Sequence, residues 1–352
     1  MDGVDAALIE TDGEGVVTAV AAFTQSFSDD LRGLLWDAVE VAASLEDRAL
    51  RPDPLTQAEN EVTDIHGTAV ESLLAEAGLV SQDIDVIGFH GQTVLHRPDI
   101  GLTMQLGDGA RLARQVGIDV VCDLRANDMA HGGEGAPLAP VYHQALAAIV
   151  SRDAVVFLNV GGVANLTWVS ADKPLLAFDT GPGNGLIDLW VLTHHGETMD
   201  RGGQLAGAGQ VNETVLATLL DHAYFKRPPP KSLDRFEFEL TPLDGMSAAD
   251  GAATLTAFTA ASVAISAQHL PASPELWIVC GGGRHNPVLM SELEIRLDAP
   301  VCSAEDMGLR GDTLEAEAFA YMAVRSLKGL PLSFPTTTGV SVPVTGGVLH
   351  RR

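Results

Sequence analysis

Apolar positions along this chain recur with two periods, and the changes between them mark the elements. Residues 4–10 and 16–22 are apolar stretches flanking Asp12-Gly13-Glu14-Gly15, which predicts a β-hairpin. Residues 29–47 carry apolar side chains at helical spacing, and 56–78 predict a second helix ending at Gly78. Residues 84–89 read as a short buried strand, with further strands near 103–106 and 118–122. In the second half, strands at 155–160, 164–169 and 175–178 precede helices at 184–195, 204–221 and 247–269. A strand at 276–280 and helices at 286–297 and 312–328 follow. Strands followed by helices, in two runs, predict an α/β architecture with two sheets.

Side by side, the halves differ at their starts. The second opens with three strands and has a glycine turn between the first two, whereas the first opens with two strands. If the halves are structural duplicates, the first lacks its opening strand and the turn after it; otherwise they are unrelated, or the first simply has fewer strands.

With 352 residues, 46% of them hydrophobic, the chain can bury two cores. The formal net charge of −26 repels nucleic acid and anionic membrane, so neither is an expected partner. An anionic substrate therefore needs local donors, a helix N-terminus or a metal. Cys122, Cys280 and Cys302 form no CxxC and sit in apolar stretches, so free thiols are expected. The N-terminus lacks a basic region followed by an apolar core, and no apolar run suggests a membrane span, so a cytoplasmic location is expected. The eleven histidines form no HExxH, and there is neither a GxSxG nor a Walker A pattern.

Several segments carry candidate chemistry. Asn159-Val-Gly161-Gly162-Val-Ala-Asn165 places glycines at a strand-to-strand turn, where backbone N–H groups can cradle phosphate or where the chain merely turns. In Asp179-Thr-Gly-Pro-Gly-Asn184 a carboxylate ends a buried strand ahead of a helix. Asp179 could be a general base, a metal anchor or a cap, and the helix N-terminus offers donors for an anion. Gly281-Gly282-Gly283 likewise follow a strand and leave a side-chain-free surface suited to a nucleoside, without the spacing of a dinucleotide motif. His90, Gln92 and Thr93 lie at one strand end, and Arg125 and Asp128 lead into a glycine-rich stretch. Both clusters concentrate the donors and acceptors a sugar needs.

Together, GFHGQTVLHRP (88–98), TMQLGDGARLA (103–113), DLRANDMAHGGEGAPLAPVYH (123–143), LNVGGVANLT (158–167), FDTGPGNGLIDLW (178–190), YFKRPPPKSLDRFEF (224–238), CGGGRHNPVLM (280–290) and GLRGDTLEAEAFAYMAVRSLKGLP (308–331) resemble the anhydro-N-acetylmuramic acid kinases. They follow the family's order and span nearly the whole chain. The resemblance implies an α/β fold of two RNase-H-like domains of the actin/hexokinase ATPase type with an interdomain cleft. These would be residues 1–125 with 338–352, and 126–337. It also implies a kinase that uses ATP and Mg2+ to open a 1,6-anhydro ring and phosphorylate O6, yielding N-acetylmuramic acid 6-phosphate in cell-wall recycling, and a homodimer.

In that mapping Asp179 activates water. Asp2, Gly3, Val4, Asp5, Gly161, Gly162 and Asn165 belong to the phosphate side, and Gly281, Gly282 and Gly283 face the nucleoside. His90, Gln92, Thr93, Arg125 and Asp128 fall on the sugar side. Members of the family begin with a strand and a loop similar to GVMSGTSxDGVD, and this chain opens at the tail of that loop with Met1-Asp2-Gly3-Val4-Asp5. A longer natural protein is therefore expected, and the alternative is a truncated, inactive sugar-binding relic. Another ATPase of the same fold is disfavoured by the HGQT and GAPL segments.

Overall fold

A computed structural model describes residues 3–150, 152–233 and 237–352. In chain order the strands are β1 (Gly3–Thr11), β2 (Val17–Ser26), β3 (Ile87–Phe89), β4 (Gln92–Arg97), β5 (Leu102–Leu106), β6 (Val120–Cys122), β7 (Ala154–Val160), β8 (Val163–Ser170), β9 (Leu176–Pro182), β10 (Leu276–Cys280), β11 (Val301–Ser303) and β12 (Val348–His350). The α-helices are α1 (Asp29–Ala42), α2 (Leu55–Ala77), α3 (Gly109–Val116), α4 (Ala126–Ala130), α5 (Pro140–Val150), α6 (Gly185–His195), α7 (Gln204–Gly207), α8 (Glu213–Leu220), α9 (Ala248–Ser266), α10 (Pro287–Arg296) and α11 (Leu314–Leu327). The chain divides into one unit of residues up to 146 with 313–352, and another of 147–312.

This division differs from the 125/126 and 337/338 boundaries read from the sequence. The cause is side-chain bonding from and beyond α11. Tyr321 Oη donates to the Glu14 carbonyl at 2.8 Å, and Arg325 donates to the Gly13 carbonyl at 2.8 Å. The hairpin turn at the start of the chain and a helix near its end therefore form one body. Asp128 is likewise bonded to Ser333 and Thr338 within that unit.

The unit of residues 147–312 holds a five-stranded sheet in the order β11-β10-β7-β8-β9. β7, β8 and β9 form an antiparallel meander, and β10 and β11 add in parallel on the far side of β7. That is the RNase-H-like order. β7 is central and almost wholly buried, as its run Ala-Val-Val-Phe-Leu requires. α9 packs on the sheet and is buried on nearly every side. It is long and apolar enough to cross a membrane by composition, contrary to the sequence expectation, but most of it is buried inside this unit. Gly251 admits Trp190, which a Cβ there would meet at 2.2 Å.

The other unit carries the antiparallel pair β1–β2, a separate sheet ordered β12-β6-β3, and the hairpin β4–β5. α2 and α11 both pack on β1, and α11 also packs on β3. The hairpin, the two long early helices and the short strands follow the sequence expectation. The segment 204–221 does not: it breaks into α7 and α8. A Cβ at Gly209 would meet the Ala249 carbonyl at 2.1 Å, and Asn212 caps a new helix with its side chain. β4, α3, α4, α5 and β12 went unpredicted, although Asp108 and Gly117 bracket α3 as its caps. Cys122, Cys280 and Cys302 are unpaired, as expected, and burial pushes the Cys280 thiol up to about 12.

Candidate active site

The unit of residues 147–312 brings three glycine-bearing turns to one end of its sheet. The β7–β8 turn is Gly161-Gly162, the β9–α6 turn is Gly183-Asn184, and Gly281-Gly282-Gly283 follows β10. They are strapped together by backbone bonds. Asn184 N–H donates to the Gly161 carbonyl at 2.7 Å, and the N–H groups of Gly183 and Gly185 donate to the Gly162 carbonyl at 3.0 Å. Asn184 Nδ2 reaches the Val160 carbonyl at 3.1 Å. The N–H groups of Gly183, Asn184 and Gly185 are therefore engaged within the protein.

Close approach explains the glycines. A Cβ at Gly183 would lie 2.2 Å from the Gly161 carbonyl oxygen, and one at Gly185 would lie 2.9 Å from that of Gly162. At Gly281, where φ is +72°, a Cβ would lie 2.4 Å from Asn159 Oδ1. Gly162 differs: it is exposed and has nothing within 4 Å of its Cβ position. Arg284 fixes the third turn by donating to the Gly281 carbonyl at 2.8 Å while paired with Glu305 and Asp312.

Asp179 is the one residue of β9 that is not buried. Register places Asn165 directly opposite Asp179, and Asn159 opposite Asn165. These three polar side chains form a row on one face of an otherwise buried sheet, beside the glycine turns. A bulge at Thr180 shifts the pairing there, and the Thr180 hydroxyl donates to the Ala164 carbonyl at 3.1 Å.

Asp179 Oδ2 accepts the Leu233 N–H at 2.8 Å, and its backbone carbonyl accepts Tyr224 Oη at 2.5 Å. Its N–H donates to the Lys231 carbonyl at 3.0 Å. The Pro228-Pro229-Pro230-Lys231 stretch thus supports the carboxylate, a role the sequence reading did not give to Lys231 or Tyr224. The Lys231 ammonium lies 4.5 Å from the Tyr224 ring centre. Burial, with the Arg227 charge adding, lowers it to about 8, and the Asp179 charge opposes that. The earlier signal was the PPPKS stretch itself.

The other unit gathers His90, Arg125 and Asp128 around the Gly133–Gly135 turn. Arg125 Nε donates to His90 Nε2 at 3.0 Å, and another Arg125 nitrogen donates to the Gly135 carbonyl at 2.8 Å. Burial first, and the Arg125 charge second, hold His90 well below the ordinary imidazole value. The ring is neutral, and its Nδ1–H donates to the Gly91 carbonyl at 2.8 Å.

Asp128 is buried. Its Oδ2 accepts Gly135 N–H at 2.6 Å, and its Oδ1 accepts the Thr338 hydroxyl at 2.7 Å and the Ser333 hydroxyl. Those bonds make it an anchor of the turn. Gln92 and Thr93 open β4, and Thr93 Oγ1 accepts Gln105 Nε2 at 3.2 Å. Gly3, Val4 and Asp5 lie in β1, with Val4 buried in the core and Asp5 accepting the Thr24 hydroxyl at 2.7 Å. Val4 can therefore offer a ligand only backbone groups. Asp2 lies outside the described residues.

Known proteins resemble this chain over nearly its whole length. The chain is 53% identical over 353 residues to a protein from Rhizorhabdus wittichii called anhydro-N-acetylmuramic acid kinase, a match covering 100% of this chain and 96% of that one. Proteins of the same name from Rhizobium etli (51% identical, 99% of this chain, 95% of that one) and Nitrobacter winogradskyi (49%, 100% and 96%) match similarly. A ROK family glucokinase from Streptomyces griseus, solved with glucose and AMPPNP, is 13% identical with a TM-score of 0.44, covering 91% of this chain and 95% of that one. The profile described as Anhydro-N-acetylmuramic acid kinase matches residues 1–352, and the chain belongs to that kinase family.

Proposed function

We propose that this chain phosphorylates 1,6-anhydro-N-acetylmuramic acid with ATP, opening the anhydro ring and giving N-acetylmuramic acid 6-phosphate for cell-wall recycling. The observation that carries this reading is the row Asn159, Asn165 and Asp179 beside three glycine turns, in a chain whose full-length relatives bear that name.

Asp179 is built to act as a general base. Its neighbours hold the backbone on both sides, one carboxylate oxygen is held by the Leu233 N–H, and the side chain stands at a partly open position. A water deprotonated there attacks the anomeric carbon. The ring C–O bond breaks, and the released O6 attacks the γ-phosphorus as ADP leaves. The proton taken by Asp179 returns to solvent. The Gly161-Gly162 turn fits a phosphate chain because Gly162 is exposed with open space around it. Gly281–Gly283 present a side-chain-free surface to the nucleoside. Asn159 and Asn165 supply side-chain oxygens of the kind a hard cation takes, so the residues fit Mg2+. When bound, Mg2+ offsets phosphate charge. His90, Gln92, Thr93 and Arg125 are assigned to the sugar, with Asp128 holding the turn that presents them. The protein would act in the cytoplasm as a homodimer.

The test is ADP release with 1,6-anhydro-N-acetylmuramic acid, ATP and magnesium. Turnover that disappears in Asp179→Asn while the protein stays folded supports the reading. Equal turnover in the variant removes Asp179 from the chemistry, and no turnover in a folded protein carrying its full N-terminus favours the sugar-binding relic.

A further inference from the structure

Lys231 is a buried side chain to which the proposed chemistry gives no task. It is 3% exposed and follows Pro228-Pro229-Pro230, whose fixed φ angles restrain the approach to it. An ammonium carries three donors, yet among the described residues Nζ bonds to one acceptor, the Tyr224 carbonyl at 3.4 Å. Its other neighbours are aromatic faces. Nζ lies 4.5 Å from the Tyr224 ring centre and 5.8 Å from that of Phe178. Burying a charge with so little bonding costs stability, and a methionine of similar length would fill the space without that cost. A cost of this kind beside a candidate catalytic group points to function.

The ammonium sits among the groups that hold Asp179. Phe178 precedes Asp179 on β9, and Tyr224, the nearer ring, donates its hydroxyl to the Asp179 carbonyl at 2.5 Å. The Lys231 carbonyl accepts the Asp179 N–H at 3.0 Å, and Leu233, two residues on, donates its N–H to Oδ2 at 2.8 Å. Lys231 and Asp179 also attract each other as charges, with little screening because Lys231 is buried.

We propose that Lys231 is a positioning residue for the base: its charged ammonium clamps the Tyr224 ring, and through the Tyr224 hydroxyl and the 231–233 backbone it holds Asp179 on the attacking water. The inference rests on the reading of Asp179 as that base. An uncharged amine loses its attraction to both rings and to the carboxylate, and the clamp is released. Besides Asp179 on β9, three titratable or charged groups face the ammonium: Tyr224 and Arg227 ahead of the prolines, and His269 after α9. Burial, and then the Lys231 charge, hold His269 below the ordinary imidazole value, so it is already neutral where Lys231 loses its proton, at about 8. Activity should therefore decline on the alkaline side as the clamp discharges.

The test is the pH profile of ADP release with 1,6-anhydro-N-acetylmuramic acid, ATP and magnesium, from about pH 6 to about pH 10, beside urea unfolding of each protein. Wild-type kcat should fall above about 8. Lys231→Met should lower kcat at least ~10-fold at neutral pH. It should leave KM for ATP unchanged and unfold at the same or a higher urea concentration. Lys231→Arg keeps a charge that stacks on a ring, so it should recover most of the lost kcat and carry the alkaline fall upward by about one pH unit or more. A wild-type kcat in Lys231→Met, an arginine variant no faster than the methionine variant, or a loss of kcat that tracks lost stability overturns the proposal. Should Lys231→Met fail to fold, the arginine variant decides alone, and an alkaline fall that does not move overturns it. Asp179→Asn separates this proposal from the base assignment. Turnover in that variant sinks the assignment and the proposal together. An inactive Asp179→Asn beside a Lys231→Met of wild-type rate leaves the base standing and removes only the lysine.

Discussion

Asn165 stands directly opposite Asp179 across the β8–β9 pair, on the face where Asn159 follows on β7. Opposed residues share a face and lie within reach of one ligand. Asp179→Asn keeps an oxygen for the Leu233 N–H but removes the base, so kcat should fall by roughly 10²–10⁴-fold with little change in unfolding temperature. Asn165→Ala should lower kcat/KM about tenfold or more, again in a stable protein, because the side chain is only half-buried. Steady-state ADP release and thermal unfolding of both variants decide this. Loss of stability in proportion to loss of activity would make the row structural.

Gly183 and Gly162 should separate packing from ligand contact. A Cβ at Gly183 meets the Gly161 carbonyl, so Gly183→Ala should cost about 1–3 kcal/mol and shift the turn. Gly162→Ala has open space and should change stability by less than about 0.5 kcal/mol while raising KM for ATP. Urea unfolding with ATP titration reads both quantities, and an unchanged KM in Gly162→Ala would take the turn away from phosphate.

Asp128 gives the opposite expectation. Removing its carboxylate in Asp128→Ala strands the Gly135 N–H and the hydroxyls of Ser333 and Thr338, a loss of about 3 kcal/mol. The urea midpoint should drop accordingly. A normal midpoint with a raised KM for the sugar would instead make Asp128 a direct substrate ligand.

His143 sets an acid limit on stability. Burial lowers its folded value to about 4 from an ordinary 6.5, so between those values the unfolded chain binds the extra proton. Stability is fully present above pH 6.5 and declines as pH falls toward 4, by about 3 kcal/mol from this group. His143→Gln should flatten that part of the curve of unfolding free energy against pH. An unaltered slope would assign the acid sensitivity to other groups, such as His66, which is also lowered to about 4 by burial.

The sequence by itself determined the elements whose signals are local. Gly13 and Gly15 between apolar stretches gave the β1–β2 hairpin, and the apolar run of β7 gave a strand, because period and turn chemistry act over a few residues. The family also lay in such local strings, from HGQT to DTGPGN. Only the tertiary structure decided what depends on register and long-range contact. The Thr180 bulge that sets Asn165 against Asp179, the Gly161 and Gly162 carbonyls that take the N–H groups of Gly183, Asn184 and Gly185, and the bonds that turn Asp128 into an anchor join residues far apart in the chain. α11 reached the Gly13–Glu14 turn across most of the chain's length and so moved the domain boundary.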